Sequence, residues 1–412
     1  MAGKFANDLV TLAGDGADLD SDLFIVHDAS ASLLKSASVK NANWIFSRYN
    51  GVVNVKDYGA TGDGTTDDST AIDLAIAAAG EEIGEVFFPA GVYNVGTGLA
   101  AIAANVIRLR GAGRHITKIK HTPTADGQVC IDFDKGGTSG YYWDVRDLSI
   151  TTSDTSYNKT ALRFEDAREL NIDNIFISGF EGASTDSVGI QFLGRELVTL
   201  TNSHVFANVP IRLSGNTNNA EIDVDAFSFQ NIYLISENST DTLTRACILV
   251  DGDVIFKALS ITGANSFAKG DYGLYYVTSA LVGTSQRQIK IADTNIEQLE
   301  SGGTNIYIDT TQGSNTRDLR LLTVDNCLFD EARAGLYLRG VENVQISNSH
   351  LAQGTGVSII DVTGASGSTY GLVFTNVWTQ SSPGTLDIAS MTQNAAYTAS
   401  GRTHPHTAFW SR

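Results

Sequence analysis

The chain is poor in the residues that stiffen, staple or charge a protein. It has 5 prolines, 3 cysteines and 2 methionines in 412 residues, and only 18% of its residues are charged. Cys130, Cys247 and Cys327 are odd in number and far apart, so neither a disulfide framework nor a metal-ligand spacing is present. Basic residues are scarce: 28 stand against 46 acidic ones, for a formal net charge of -18. That balance argues against nucleic acid, whose phosphates demand basic patches, and disfavours an anionic membrane surface. It argues only weakly against an acidic polysaccharide, because a local Arg or Lys cluster overrides the global field. No segment has the apolar length that spans a bilayer, so no membrane insertion is expected. The start, MAGKFANDLVTLAG, has neither a basic region nor a long apolar run, so no signal peptide is expected and synthesis is placed in a cytosol.

What is abundant is Gly, at 40 residues, with much Asn, Thr and Ser, a composition that suits stacked β-structure better than a helical enzyme. Between Val145 and Trp378 one phrase recurs: apolar, any, small polar, any, any, apolar. It reads VRDLSI, IDNIFI, LTNSHV, FQNIYL, ITGANS, IADTNI, VDNCLF, ISNSHL and FTNVWT. Its centres are Asp147, Asn174, Asn202, Asn231, Gly263, Asp293, Asn326, Asn348 and Asn376, spaced 22 to 33 residues apart. A period in that range marks a repeat architecture, and alternating β-branched content makes the unit strands. One unit cannot bury its apolar face alone, so units stack. An Asn beside each bend can bond the Asn one turn above. The expected fold is an all-β parallel β-helix, a solenoid whose strands keep register while insertions go into loops. Cys327, one residue after a bend centre, is expected to pack as a small buried thiol.

Three segments are expected: residues 1–50, 51–380 and 381–412. Residues 1–50 do not share the repeat, and Leu23-Phe24-Ile25-Val26 reads as part of a small β element. In GDGTTDDSTAIDLAIAAAG, Asp67, Asp68 and Ser69 can cap a helix near residues 67–80. Its apolar positions Ala71, Ile72, Ala75, Ile76 and Ala79 recur at helical spacing, and Gly80 ends it. Such a helix would cover the open edge of the first coil. Asp63, Asp67 and Asp68 lack the spacing of a calcium loop and read as structural. VFFPAGVYNV is a strand, a corner and a second strand. After Gln380 the repeat fades into a short C-terminal tail.

GDGTTDDSTAI followed by VFFPAGVYNV resembles the entry signature of the pectate-lyase-like right-handed β-helix superfamily, which includes phage tailspike depolymerases and polygalacturonases. The preceding SDLFIVHDASASLLKSASVKNANWIF resembles, more loosely, the linker near the start of many phage tail proteins. The resemblance implies a right-handed helix and a homotrimer in the virion tail. It implies attachment to phage tail or baseplate proteins through residues 1–50, and a bacterial surface polysaccharide, capsule or O-antigen, as ligand. Tailspikes often carry a further C-terminal domain, for which residues 381–412 leave little room. The consecutive motifs of polygalacturonases are missing, as are a phosphate loop, a nucleophile elbow and any cofactor or metal motif.

Chemistry therefore falls to carboxylates, since glycoside hydrolysis needs a general acid and a second carboxylate. Glu297 lies four residues after Asp293 and Asp330 four after Asn326, so register brings them onto adjacent coils, with Glu300 as the substitute. The segment NIEQLESGGTNIYI also resembles a tailspike coil in which an acid precedes a Gly-rich turn. Asp223, Asp225 and Glu237 form a second acidic group, of which Asp225 and Glu237 are candidates for substrate contact. Tyr272, Tyr275 and Tyr276 are candidates for stacking on sugar rings. Arg287 and Lys290 are placed to receive a carboxylate-bearing sugar or to pair with local acids. His204 and His350 share one position in their coils and read as wall residues. Three functions fit: a hydrolase, a binding-only tail protein of the same fold, and a polysaccharide lyase, which would need a base and neutralisation of a uronate.

Overall fold

The structure, a computed structural model, describes residues 51–80, 84–134, 136, 142–181, 186–194, 197–214, 222–237, 244–251, 254–277, 288–297, 303–310, 319–329, 334–339, 341, 343–352, 360–361, 372–380 and 396–397. It also describes the strands Leu23–Asp28 and Leu33–Ser38, which pair antiparallel as a separate hairpin.

The repeat phrase is a bend between two strands. All nine centres have positive φ, from 49° at Asn348 to 84° at Gly263. L-residues reach that left-handed region at a cost, and Asn, Asp and Gly bear it best. Each coil therefore runs strand, bend, strand, turn, strand. Glu169–Asp173, the bend at Asn174, Phe176–Phe180 and Val188–Leu193 make one coil. Leu197–Thr201, the bend at Asn202, His204–Ala207 and Val209–Ser214 make the next. Like strands pair in parallel into sheets of 13, 12 and 9 strands, so the chain is a parallel β-solenoid.

The bends are bonded to one another. Asn174 Nδ2 donates to Asp147 Oδ1 at 2.6 Å, Asn231 Nδ2 to Asn202 Oδ1 at 3.2 Å, Asn326 Nδ2 to Asp293 Oδ1 at 2.7 Å and Asn376 Nδ2 to Asn348 Oδ1 at 3.1 Å. Asn202 and Asn348 reach instead the residue before the neighbouring bend, Asp173 at 2.8 Å and Asp325 at 3.0 Å. Gly263 brings no side chain, and the following Ala264 N–H donates to Asn231 Oδ1 at 3.2 Å.

Register carries the inward side chains into continuous stacks. Ile172, Leu200, Phe229, Ile261, Ile291, Val324 and Ile346 are successive partners in the 13-stranded sheet, none more than 1% exposed. Burial of each is worth about 1.5–3 kcal/mol. Cys130, Cys247 and Cys327 are buried free thiols in this core.

The helix Ser69–Gly80 buries Ile72, Ala75, Ile76 and Ala79 and packs on the strands Val52–Asn54 and Gly84–Phe88. Val52–Asn54 ends the 13-stranded sheet, so the helix covers that edge. The three acids of its entry loop are spent on the loop itself. Asp63 accepts from Thr65 and Thr66, and Asp67 from Ser69. Asp68, 1% exposed, accepts from Thr61 N at 2.7 Å and Gly62 N at 3.2 Å.

One of the buried rings is an imidazole. His121 is fully buried and stacks parallel on Phe180, with ring centroids 6.5 Å apart. Neither nitrogen has a hydrogen-bond partner among the described residues. Burial holds its pKa down to about 4, from an ordinary 6.5. The unfolded chain then takes up this proton at a higher pH than the fold, so stability falls as pH drops from 6.5 to about 4 and levels off below. His121→Phe should remove that limb, a difference of about 3 kcal/mol, read as melting temperature against pH. Asn326→Ala should lower stability by about 1–2 kcal/mol, through a lost bond and left-handed strain, in denaturant unfolding.

Candidate functional site

Three adjacent strands of the 12-stranded sheet, Phe176–Phe180, His204–Ala207 and Tyr233–Ser236, carry the densest chemistry among the described residues. Strand alternation turns Ile177, Val205 and Leu234 inward, all fully buried. It turns Phe176, His204, Phe206 and Tyr233 outward, where they remain half-buried. These rings meet mostly edge to face: Phe176–Phe206 at 5.4 Å, His204–Tyr233 at 5.6 Å and Phe206–Tyr233 at 5.6 Å. Edge-to-face packing leaves some ring faces directed outward.

A loop from an earlier coil flanks the rings. Arg114 Nη1 donates to the backbone carbonyl of Asn202 at 3.1 Å, and Arg114 Nε donates to His115 Nε2 at 3.2 Å. The exposed His115 ring lies 6.2 Å from Phe176.

Where these strands end, a polar row begins. Glu181, Asn208 and Glu237 each directly follow the end of one of these three strands. Asn208 N donates to Phe180 O and Glu237 N to Ala207 O, both at 3.0 Å, so the ladder continues through the row. Asn208, 2% exposed, stands between the acids, its Nδ2 donating to Glu237 O at 3.3 Å. Glu237 is ion-paired with Lys269, the next residue of the row. Glu181 is different: its Oε2 is buried with no hydrogen-bond partner among the described residues. Burial pushes its carboxyl above the ordinary range, and the charge of Glu237 adds to the rise. Lys159 lies close enough to act on Glu181, but its fully buried ammonium is held by the carbonyls of Asp154 at 2.6 Å and Tyr157 at 3.0 Å.

A bulge places Glu181. The pairing of Phe176–Phe180 with the next strand shifts between Ile177 and Phe180. Gly179 sits there at φ 85°, where a Cβ would come within 1.9 Å of Thr152 O. Only glycine fits that approach, and the extra residue re-aims Phe180 and Glu181.

Of the residues expected from sequence, Glu297, Glu237 and Tyr275 have described side chains. Glu297 ends the strand Thr294–Glu297 on the same outward row as Phe206, three coils further along, through Ile235 and Ala268. Asn295 Nδ2 donates to its Oε1 at 2.8 Å. Its expected partner Asp330, together with Glu300 and Arg287, lies outside the described residues; pairing is described as far as Ile296 with Phe329. Asp225 lies in the strand Ile222–Gln230, its side chain outside the described part. Glu237 belongs to the polar row. Tyr275 lies on the nine-stranded sheet, a different face from Glu297. It stacks on Tyr307 at 4.9 Å, and Tyr307 on Tyr337 at 4.4 Å. Tyr272 closes on Tyr275 at 4.7 Å. The faces expected to meet sugar are thus largely spent on other tyrosines. Tyr276 is fully buried in the core, which corrects its expected role.

Comparison with known proteins bears on this geometry. The family described as Rhamnogalacturonase A/epimerase, pectate lyase-like, matches residues 52–233, the span that holds Glu181, Asn208 and the ring row. A probable glucan endo-1,3-beta-glucosidase of Arthroderma benhamiae is 29% identical over 143 residues, 30% of this chain and 16% of that protein. Alginate lyase 7 of Azotobacter vinelandii is 38% identical over 104 residues, 24% of this chain and 12% of that protein. The chain thus spans less than a fifth of either relative. In fold, it is similar to the Dettilon tailspike protein, with a TM-score of 0.61 and 12% identity, over 81% of this chain and 63% of that one. Stacked parallel coils, a helix over the first edge and the match over residues 52–233 agree: in this part the chain is similar to pectate-lyase-like proteins, and its fold is an all-β parallel solenoid.

Proposed function

We propose that this protein binds an extended glycan across the 12-stranded face and hydrolyses it between Glu181 and Glu237. The observation that carries the reading is the row itself: a buried carboxyl with a bare oxygen and an ion-paired carboxylate two coils away, beside outward aromatic rings. Two coils are about 10 Å of backbone, from which side chains reach the roughly 6.5–9.5 Å separation that leaves room for a water. Glu181, whose carboxyl burial raises, acts in its protonated form and gives its proton to the glycosidic oxygen as that bond breaks. Glu237 takes a proton from the water whose oxygen bonds the anomeric carbon. Glu181 then ends ionised and Glu237 protonated, and exchange with solvent restores both. Inversion at the anomeric centre follows.

In the fuller reading the protein is a phage tailspike acting on a bacterial capsule or O-antigen as a homotrimer in the virion. Residues 1–50 attach it to the tail, residues 51–380 form the β-helix and 381–412 a tail. The tailspike likeness in fold and the glycan-active relatives support this reading. The pair Glu297 and Asp330 stands as the second candidate, because Ile296 pairs with Phe329 and each acid follows directly in sequence. The outward rings also favour a binding-only protein, a reading separated by assaying new reducing ends on purified host glycan. A new double bond in the product would instead mark a lyase.

Glu181→Gln and Glu237→Gln should each lower turnover by about 10²–10⁴-fold with glycan binding retained; full cleavage by both variants moves the chemistry to Glu297. Glu181→Gln carries a second signature. A raised carboxyl takes up a proton on folding, so its contribution is present at low pH and lost as pH rises through the folded value. The variant should therefore melt higher than the parent at pH 8 and equally near pH 4.

A further inference from the structure

The basic groups beside the rings have no counterpart in the hydrolytic reading. In a chain of 28 basic and 46 acidic residues, an arginine normally finds a carboxylate. Arg163, Arg212 and Arg245 do so, pairing with Asp132, Asp251 and Asp271. Arg114 does not: among the described residues its partners are a backbone carbonyl and a neutral-capable imidazole nitrogen. The bond to Asn202 O pins the guanidinium over the sheet, and its Nη2 is left with donors to offer. His115 and His204 both lie against Phe176, at 6.2 and 6.3 Å. Burial, and after it the neighbouring Arg114, hold the His204 imidazole below its ordinary pKa. Three basic side chains thus converge on one aromatic patch, and no ion pair to them is formed among the described residues.

We infer that Arg114, His115 and His204 form an anion-recognising subsite, so that the glycan on this face carries a negatively charged group, carboxylate or phosphate, on the sugar lying over Phe176. The inference rests on the glycan reading of the same face but not on which acids cleave. An arginine fork matches either anion in a bidentate way. The rings supply the apolar half of the contact. Binding consequently weakens with salt.

The test uses the full chain carrying Glu181→Gln, titrated calorimetrically with three polymers of matched length: a polyuronate, the same polymer with its carboxyls reduced to alcohols, and a phosphomannan. At least one anionic polymer should bind ten-fold or more tightly than the reduced one, and the stronger of the two identifies the anion. Arg114→Gln should erase that preference, and His115→Gln, on an exposed side chain, should weaken it while leaving the melting temperature unchanged. Equal binding of all three polymers, binding of none, or an undiminished preference in Arg114→Gln would overturn the inference. Persistent cleavage by Glu181→Gln and Glu237→Gln would instead sink the catalytic assignment and leave the charge preference standing.

Discussion

A chain that coils in one direction must turn the same corner again and again, and the conformation of that corner is the constraint on which everything else rests. Each corner between the first two sheets holds a residue at positive φ, from Asp147 to Asn376. An isolated residue resists that conformation by about 1–2 kcal/mol. Stacking converts the liability into a bond, because a short amide or carboxylate at the corner reaches the corner of the next coil. Corners fixed in this way set the register of the strands on either side. The inward stacks of Ile, Leu, Val and Phe then follow without further instruction.

A core fixed so tightly frees the exterior. Outward positions on the 12-stranded sheet are silent in the packing, and the chain has used them for aromatic and imidazole rings over three consecutive coils. The acids sit where the same strands run into turns, at positions that belong neither to core nor to corner. The tyrosines of the nine-stranded sheet show the other use of outward space. There Tyr275, Tyr307 and Tyr337 stack on one another, which stiffens a face and closes it to ring-on-ring contact.

All nine corners were legible in the sequence because positive φ favours Asn, Asp or Gly, and the strands beside them alternate. The entry helix and its acidic loop were legible for the same kind of local reason. The acid pair was harder to see. Asn208 and Glu237 lie six residues after their corners, Asn202 and Asn231, whereas Glu181 lies seven after Asn174. The extra residue is the bulge at Gly179, so counting at a fixed offset misses the match. Glycine within the strand FISGF, next to an acid, was the available signal. Glu297 lies on an outward row, and register alone gave no sign of its surroundings. Tyr275 and Tyr276 were grouped by sequence proximity, although strand alternation sends one outward and the other into the core.

Among the corners, Gly263 alone brings no side chain. The residues that follow it take over: Ala264 N–H donates to Asn231 Oδ1, while Asn265 accepts from Ile232 N–H with Oδ1 and donates to Thr294 Oγ1 with Nδ2. In a solenoid each coil is stabilised chiefly by its two neighbours, so a corner without a side chain has to be tied on both sides. Asn265 does both, reaching one coil with its oxygen and the other with its nitrogen. The column is spliced there, one residue inward, and the stack runs on through Glu297.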